Sequence, residues 1–206
     1  MNPIEELTSQ LNKLPGIGPR QAKRIVYALL KADPKMSLSL ASAFSNLRKN
    51  IHLCSKSYSY FYSPTTTERL SPIERNPHRD GTLLMIVEKD TDLENVEKSG
   101  VYNGKYFVLG GTLPILEKDP EKKIRIRELL AVTEEKAKNE DLKEVIIATS
   151  ANPEGENTAH YLQTSLTPLA QEHHFTLSIL GRGLSTGTEL EYSDKETLRS
   201  ALSNRK

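Results

Sequence analysis

Four carboxylates stand beside short apolar runs beyond Gly81 in this 206-residue chain. Glu88 follows "LLMIV" directly, Asp92 comes four residues later, and Glu154 and Glu156 close the stretch "EVIIATSANPEGE". Two chemistries suit such a set. Hard oxygen ligands can hold Mg²⁺ for phosphodiester chemistry, the metal stabilising charge on the reacting phosphate. Acids collected at one edge can instead dock a basic protein partner. A plainer reading has each acid open a helix and complement its dipole. No nucleophile accompanies them: no tyrosine stands in an obviously basic setting, and His52, His78, His160, His173 and His174 show no ligand spacing. "GVYNGKY", Gly100 to Tyr106, imitates a phosphate-binding P-loop, but only three residues separate its glycines and Tyr106 holds the place of the magnesium-binding Ser or Thr.

A second candidate is "LPGIGPR", Leu14 to Arg20. Its two glycines permit torsions and close approaches closed to other residues, and Pro19 presets the first turn of a following helix. Backbone N–H groups at that helix start can accept a phosphate oxygen, while Arg20 and Arg24, one turn apart, add charge along a nucleic-acid backbone. Gly16, Ile17, Gly18, Arg20 and Arg24 are therefore the candidate DNA contacts, and none of them reads bases. A plain helix-helix turn needs one glycine and no flanking cations. The motif is the helix-hairpin-helix element of sequence-independent DNA binders, and since one copy binds weakly, oligomerisation or a second surface is implied.

The third is "IHLCSKSYSYFY", which carries the chain's only cysteine, Cys54. Cys54 and Ser57 would form a metal knuckle if Ser57 were a second cysteine, and "SPIE", Ser71 to Glu74, sits where a second knuckle could follow. Tyr58, Tyr60, Phe61 and Tyr62 either pack the loop in place of a metal or form a stacking platform for single-stranded bases. Packing is the preferred reading, because no basic residues alternate with the rings.

These residues need elements to position them. Ile4, Leu7, Leu11 and Leu14 recur at helical spacing, as do Ala22, Ile25, Val26 and Leu29 after the Pro-Gly break, so the front reads helix, tight hairpin, helix, with a third helix over 38–47. Beyond Gly81 the pattern changes to strands at 83–87, 106–109, 144–148 and 176–180, separated by candidate helices at 92–98, 122–139 and 156–173. That alternation predicts a parallel sheet covered on both faces, with the acids at its carboxyl edge. Residues 1–80 hold 12 Lys+Arg against 6 Asp+Glu, and residues 81–206 hold 16 against 21, so a basic front precedes an acidic back. Such a split fits a front that meets a polyanion. No apolar run reaches the roughly 18 residues of a membrane span, and one cysteine cannot make an internal disulfide, so a soluble cytoplasmic protein is expected.

Taken in order, "LPGIGPRQAKRIVYALL", the Cys54 region ending "RNPHRD", "MIVEKDTDLENVEKSGVYNGKYFVLGG", "EVIIATSANPEGENTAHYL" and "GLSTGTELEYSDKETLRSAL" resemble the bacterial RecR family nearly end to end. The resemblance implies an α+β multi-domain chain. Its parts are a helix-hairpin-helix DNA-binding domain at 1–52, a degenerate zinc-finger segment at 53–80, a Toprim domain with a parallel sheet at 81–180, and a Walker-B-like assembly segment at 181–206. It implies a non-enzymatic clamp, a tetrameric ring that holds single- and double-stranded DNA whatever the sequence. With a RecO-like partner, and in some systems a RecF-like one, the clamp helps load recombinase onto single strands, in the cytoplasm at the nucleoid.

Carried across, the family's DNA contacts fall on Arg20 and Arg24, its partner-binding acids on Glu88, Asp92, Glu154 and Glu156, and its assembly residues on Glu189, Leu190 and Asp194. Ser193 and Glu196 also read simply as a capping box. Toprim enzymes have an Asp-x-Asp pair where this chain has Glu154-Gly155-Glu156, which weakens the alternative, a magnesium-dependent nuclease or primase. The family's four zinc cysteines fall on Cys54, Ser57, Ser71 and Glu74. Three are replaced, so neither zinc nor any other cofactor is expected.

Overall fold

The computed structural model describes residues 2–65 and 67–181. The chain divides into two compact units, Met1–Ile51 and His52–Lys206.

The first unit is helical: α1 Pro3–Leu11, α2 Pro19–Lys31 and α3 Pro34–Asn46. Each starts with proline, whose missing N–H costs nothing in a first turn. Asn2 and Asp33 cap α1 and α3 through their side chains. The Asp33-Pro34 start places α3 four residues ahead of the expected Leu38. The apolar stripes meet only loosely. Ala22 and Val26, both on α2, are the buried residues among those described in this unit. An apolar groove of about 600 Å³ remains between the helices, lined by Leu7, Leu14, Ile17, Ile25, Leu29 and Phe44 among others.

The boundary falls within β1 Ile51–Leu53, which pairs with β2 Tyr60–Tyr62 in a two-stranded ribbon, and the short helix α4 Pro72–Arg75 follows. Next come β3 Asp80–Val87, α5 Asp90–Ser99, β4 Gly104–Val108, a 3₁₀ turn at Pro120–Lys122, α6 Ile126–Asn139, β5 Glu144–Ala148, α7 Pro153–His173 and β6 Thr176–Ile179. The four strands β3 to β6 form one parallel sheet in the order β4-β3-β5-β6. Parallel strands buried on both faces need continuous apolar runs, and "LLMIV" and "YFV" supply them. Leu84, Ile86, Phe107, Val145 and Ile147 face one core with α6 and α7, whereas Met85, Val87, Tyr106 and Val108 face a smaller one with α5. The expected helix over 122–139 begins at Ile126 instead. Residues just before it are drawn to the sheet, with the Arg125 N–H bonded to Leu109 O at 3.0 Å.

Strand order reverses at β3, whose neighbours are β4 on one side and β5 on the other. The loops after β3 and β5 therefore adjoin at the carboxyl edge, the usual place for function in an open parallel sheet. Val87 pairs with Ala148, which puts Glu88 and Thr149 level with each other.

Candidate nucleic-acid interface and the acidic sheet edge

Gly16 sits at φ +78° with open space around its α-carbon, the left-handed turn that swings the chain out of α1. Gly18 is the N-cap of α2, and no side chain caps it, in contrast to α1 and α3. Its first-turn N–H groups stay open to a ligand oxygen, the arrangement that suits a phosphate. Ile17 is no side-chain contact for DNA: it is half-buried in the apolar groove, and its N–H is bonded to Leu14 O at 3.2 Å. It anchors the hairpin.

Arg20 and Arg24 share an open groove of about 660 Å³ with Lys23, Tyr27 and Lys31. Helical periodicity places these residues together, because positions three, four and seven apart lie on one face. α2 contains no acid. Arg20, Lys23, Arg24 and Lys31 are all exposed, and among the described residues none of their side chains takes part in a hydrogen bond or ion pair. The sequence reading missed Lys23, Tyr27 and Lys31, although helical spacing from Arg20 finds them. Four unneutralised cations on one ridge make a track for phosphates.

The carboxylates at the sheet edge behave differently. Glu88 is not part of an exposed acidic face: it is only 3% exposed, and it accepts hydrogen bonds from Ser150 N at 2.6 Å and Ser150 Oγ at 2.8 Å. The side chain turns inward because the adjoining β5–α7 loop offers two donors, so an acid at the end of β3 locks the two loops together. The expectation that Glu88 meets a partner is corrected accordingly. Asp92 is half-buried and accepts the Lys89 N–H at 3.0 Å, closing the first turn of α5. This is the plainer, helix-opening role for that residue. Glu154 and Glu156 are exposed in the first turn of α7, whose N-cap Asn152 accepts the Gly155 N–H at 2.8 Å. Thr112 Oγ1 donates to Glu154 at 3.2 Å. Between the two acids, Gly155 is confined: a β-carbon there would come within 2.0 Å of Ser150 O. Ser150, unmarked by any sequence signal, thus organises the whole edge. Among the described residues no three His, Cys, Asp or Glu side chains are grouped to hold a metal ion.

Comparison with known proteins identifies the chain's relatives. Residues 4–47 match the RecR helix-hairpin-helix family, residues 82–180 the Toprim domain and residues 183–206 the RecR C-terminal family. Recombination protein RecR of Roseiflexus sp. (strain RS-1) is 40% identical over 204 residues, covering 99% of this chain and 93% of that protein. The RecR protein of Carboxydothermus hydrogenoformans is 38% identical over 205 residues, and that of Mycobacterium ulcerans 35% over 204, covering 99% of this chain in both cases and 96% and 97% of those proteins. The chain belongs to the RecR family. Its RecR C-terminal segment, with Glu189, Leu190 and Asp194, lies outside the described residues.

The segment around Cys54 in this RecR-family chain offers no metal-ligand set among the described residues. Cys54 is fully buried, and its Sγ accepts N–H groups from Ser57 at 3.5 Å and Ser71 at 3.3 Å. Burial pushes the thiol up, but the bonds from Ser57 and Ser71 outweigh it and hold Cys54 below the ordinary cysteine value. The two serine positions are already engaged, and Glu74 faces a lysine while its Oε1 is buried without a hydrogen-bond partner among the described residues. Ser57 Oγ lies 2.8 Å from Ser59 Oγ, and Ser71 Oγ accepts the Glu74 N–H at 3.3 Å. The Glu74 carboxylate is buried 3.6 Å from the ammonium of Lys136, itself 1% exposed and bonded to Glu140 at 2.9 Å. Glu140 also receives Lys56, two residues from Cys54 in the loop. Hydroxyls are poor zinc ligands and Glu74 is neutralised by a lysine, so these residues do not fit zinc.

Further ties fasten the segment to the sheet. Val108 N donates to Ser57 O at 2.8 Å, Arg125 donates to Tyr58 O and Val108 O, and its guanidinium lies over the Tyr58 ring. Lys105 donates to the carbonyls of Ile73, Glu74 and Asn76. The aromatic cluster divides: Tyr58 packs on Phe107 and Phe61 is buried, whereas Tyr60 and Tyr62 are exposed on β2. Alternation along a strand sends neighbours to opposite faces, which explains the split.

Proposed function

We propose that this chain is a non-enzymatic DNA clamp of recombinational repair, acting in the cytoplasm at the nucleoid. The unpaired cationic face of α2 carries the reading. Four exposed cations beside an uncapped hairpin recognise phosphates and not bases, so single- and double-stranded DNA of any sequence are substrates. A single such face binds weakly, and assembly into a tetrameric ring multiplies it. Membership of the RecR family supports the repair role.

Glu154 and Glu156, together with the half-buried Asp92, offer a docking edge for a basic RecO-like partner, and a RecF-like partner suits the same chemistry. Through that contact the clamp helps place recombinase on single strands. The knuckle works without zinc, so elemental analysis is expected to find less than one zinc per chain. Magnesium-dependent nuclease or primase chemistry gains no support at an edge where Glu88 is already held by Ser150. Among the described residues no helix is long and apolar enough to cross a membrane.

The test is the Arg20→Ala, Arg24→Ala double variant, followed by fluorescence anisotropy over a salt series. Affinity should fall about tenfold or more at low salt for every DNA sequence, and the slope of log K against log salt should shrink by roughly 2. Unchanged affinity, or a loss confined to particular sequences, would overturn the assignment.

A further inference from the structure

Tyr27 has no role in the hairpin motif, yet it stands at the centre of the cationic face. Arg24 and Lys23 precede it by three and four residues, and Lys31 follows by four, so all three flank the ring on one side of α2. The ring is 46% exposed. Among the described residues it makes no hydrogen bond and no ring contact. Its hydroxyl and the exposed part of its ring are therefore open to a ligand.

Tyr27 and Lys23 also line both of two adjoining grooves. One is the basic groove of about 660 Å³. The other, of about 450 Å³, runs between α1 and α2 and is lined by Asn2, Glu5, Thr8, Ser9 and Asn12 among others. A ridge with cations on one side and, apart from Glu5 and the shared Lys23, uncharged hydrogen-bonding and apolar groups on the other suits the two sides of a nucleotide, phosphate and base. In a duplex the base is stacked and paired within the helix and cannot reach the ridge. In a single strand it can.

We infer that Tyr27 is a stacking platform for an unpaired base, giving this face a preference for single-stranded DNA. The inference rests on the reading of α2 as the DNA-binding face and adds the form of nucleic acid it favours. The strand's phosphates follow Arg20, Arg24 and Lys31, which span roughly 16 Å along the helix, and one base leaves the track to lie on the Tyr27 ring. Every base has a π-face, so the contact selects strandedness without selecting sequence. Tyr60 and Tyr62 on β2 are also exposed, but no run of unpaired cations accompanies them.

Full-length protein is titrated against a single-stranded oligothymidylate carrying one 2-aminopurine, and against a duplex of equal length. Tyr27→Ala should weaken single-strand binding about tenfold and leave duplex binding within about twofold, and Tyr27→Phe should match the wild type. The 2-aminopurine signal should be quenched on binding by wild type and Phe, and markedly less by Ala. The side chain is exposed, so thermal melts of all three proteins should coincide. Single-strand binding unaffected by Tyr27→Ala, or single-strand and duplex binding weakened alike, would overturn the stacking role. Those results leave the Arg20 and Arg24 effect intact, whereas failure of the DNA-face reading itself appears as loss of that effect, so the two failures are distinct.

Discussion

The cations of α2 and the carboxylates of the sheet edge look equivalent in composition, each a small set of like charges near a helix start, but the fold treats them in opposite ways. On α2 no acid is present, and the four basic side chains stand in solvent without partners among the described residues. At the sheet edge Glu88 is bound by Ser150, Asp92 closes its own helix turn, and Glu154 accepts from Thr112. Charge that the fold leaves unpaired is available to a ligand, and charge that it satisfies is architecture. Among the acids, Glu154 and Glu156 are the exposed ones.

The sharpest way to break this contrast is at the charge the fold hides most completely. Lys136→Met strands the buried Glu74 carboxylate and should cost about 3–5 kcal/mol in denaturant unfolding, with most of the loss recovered when Glu74 is also made apolar. A neutral result for the single variant would mean that the pair is not satisfied as described. Glu88→Gln comes next. One of its two acceptor oxygens becomes a donor facing another donor, and a loss of about 1–3 kcal/mol is expected by the same measurement, whereas Glu156→Lys should leave stability within about 0.5 kcal/mol and abolish binding to a basic RecO-like partner. If Glu88→Gln left stability untouched and removed partner binding instead, the distinction between the inward and outward acids would fail.

The smallest effect is expected from pH. Burial pushes the Glu140 carboxyl up, but its bonds to Lys136 and Lys56 outweigh this and hold it below the ordinary glutamate value of 4.5. A carboxylate with a depressed folded value contributes stability above its unfolded value and loses it as pH falls through the folded one. Stability should therefore decline modestly below about pH 4.5, and Glu140→Gln should flatten that part of the profile without altering the neutral region.

How much of this was legible in the chain follows from how local each feature is. The hairpin and the helical front are written within a few residues, in paired glycines, prolines and periodic apolar positions. The sheet is legible because a strand buried on both faces must be apolar throughout. The satisfied charges are not local. "VTEEKAKNE" reads as a solvated helix face, and nothing in it indicates that Lys136 is enclosed, because its partner Glu74 arrives from a distant segment. Glu88 likewise depends on Ser150, 62 residues away. Helix-opening acids such as Asp92 fit their plainer reading, and the start of α3 was legible in Asp33-Pro34 but passed over for the apolar pattern further on.

The buried lysine-carboxylate cluster also shapes how the segment around Cys54 responds to heat. Hydration of an ion grows less favourable as temperature rises, so the cost of keeping Lys136, Glu74 and Glu140 out of water falls, while apolar stabilisation per unit area levels off. On warming, the share of the holding energy carried by this lysine-carboxylate cluster therefore increases relative to that of the surrounding core, and the small loop around Cys54 is fastened by the one kind of interaction that gains ground as the rest of the molecule approaches its melting point.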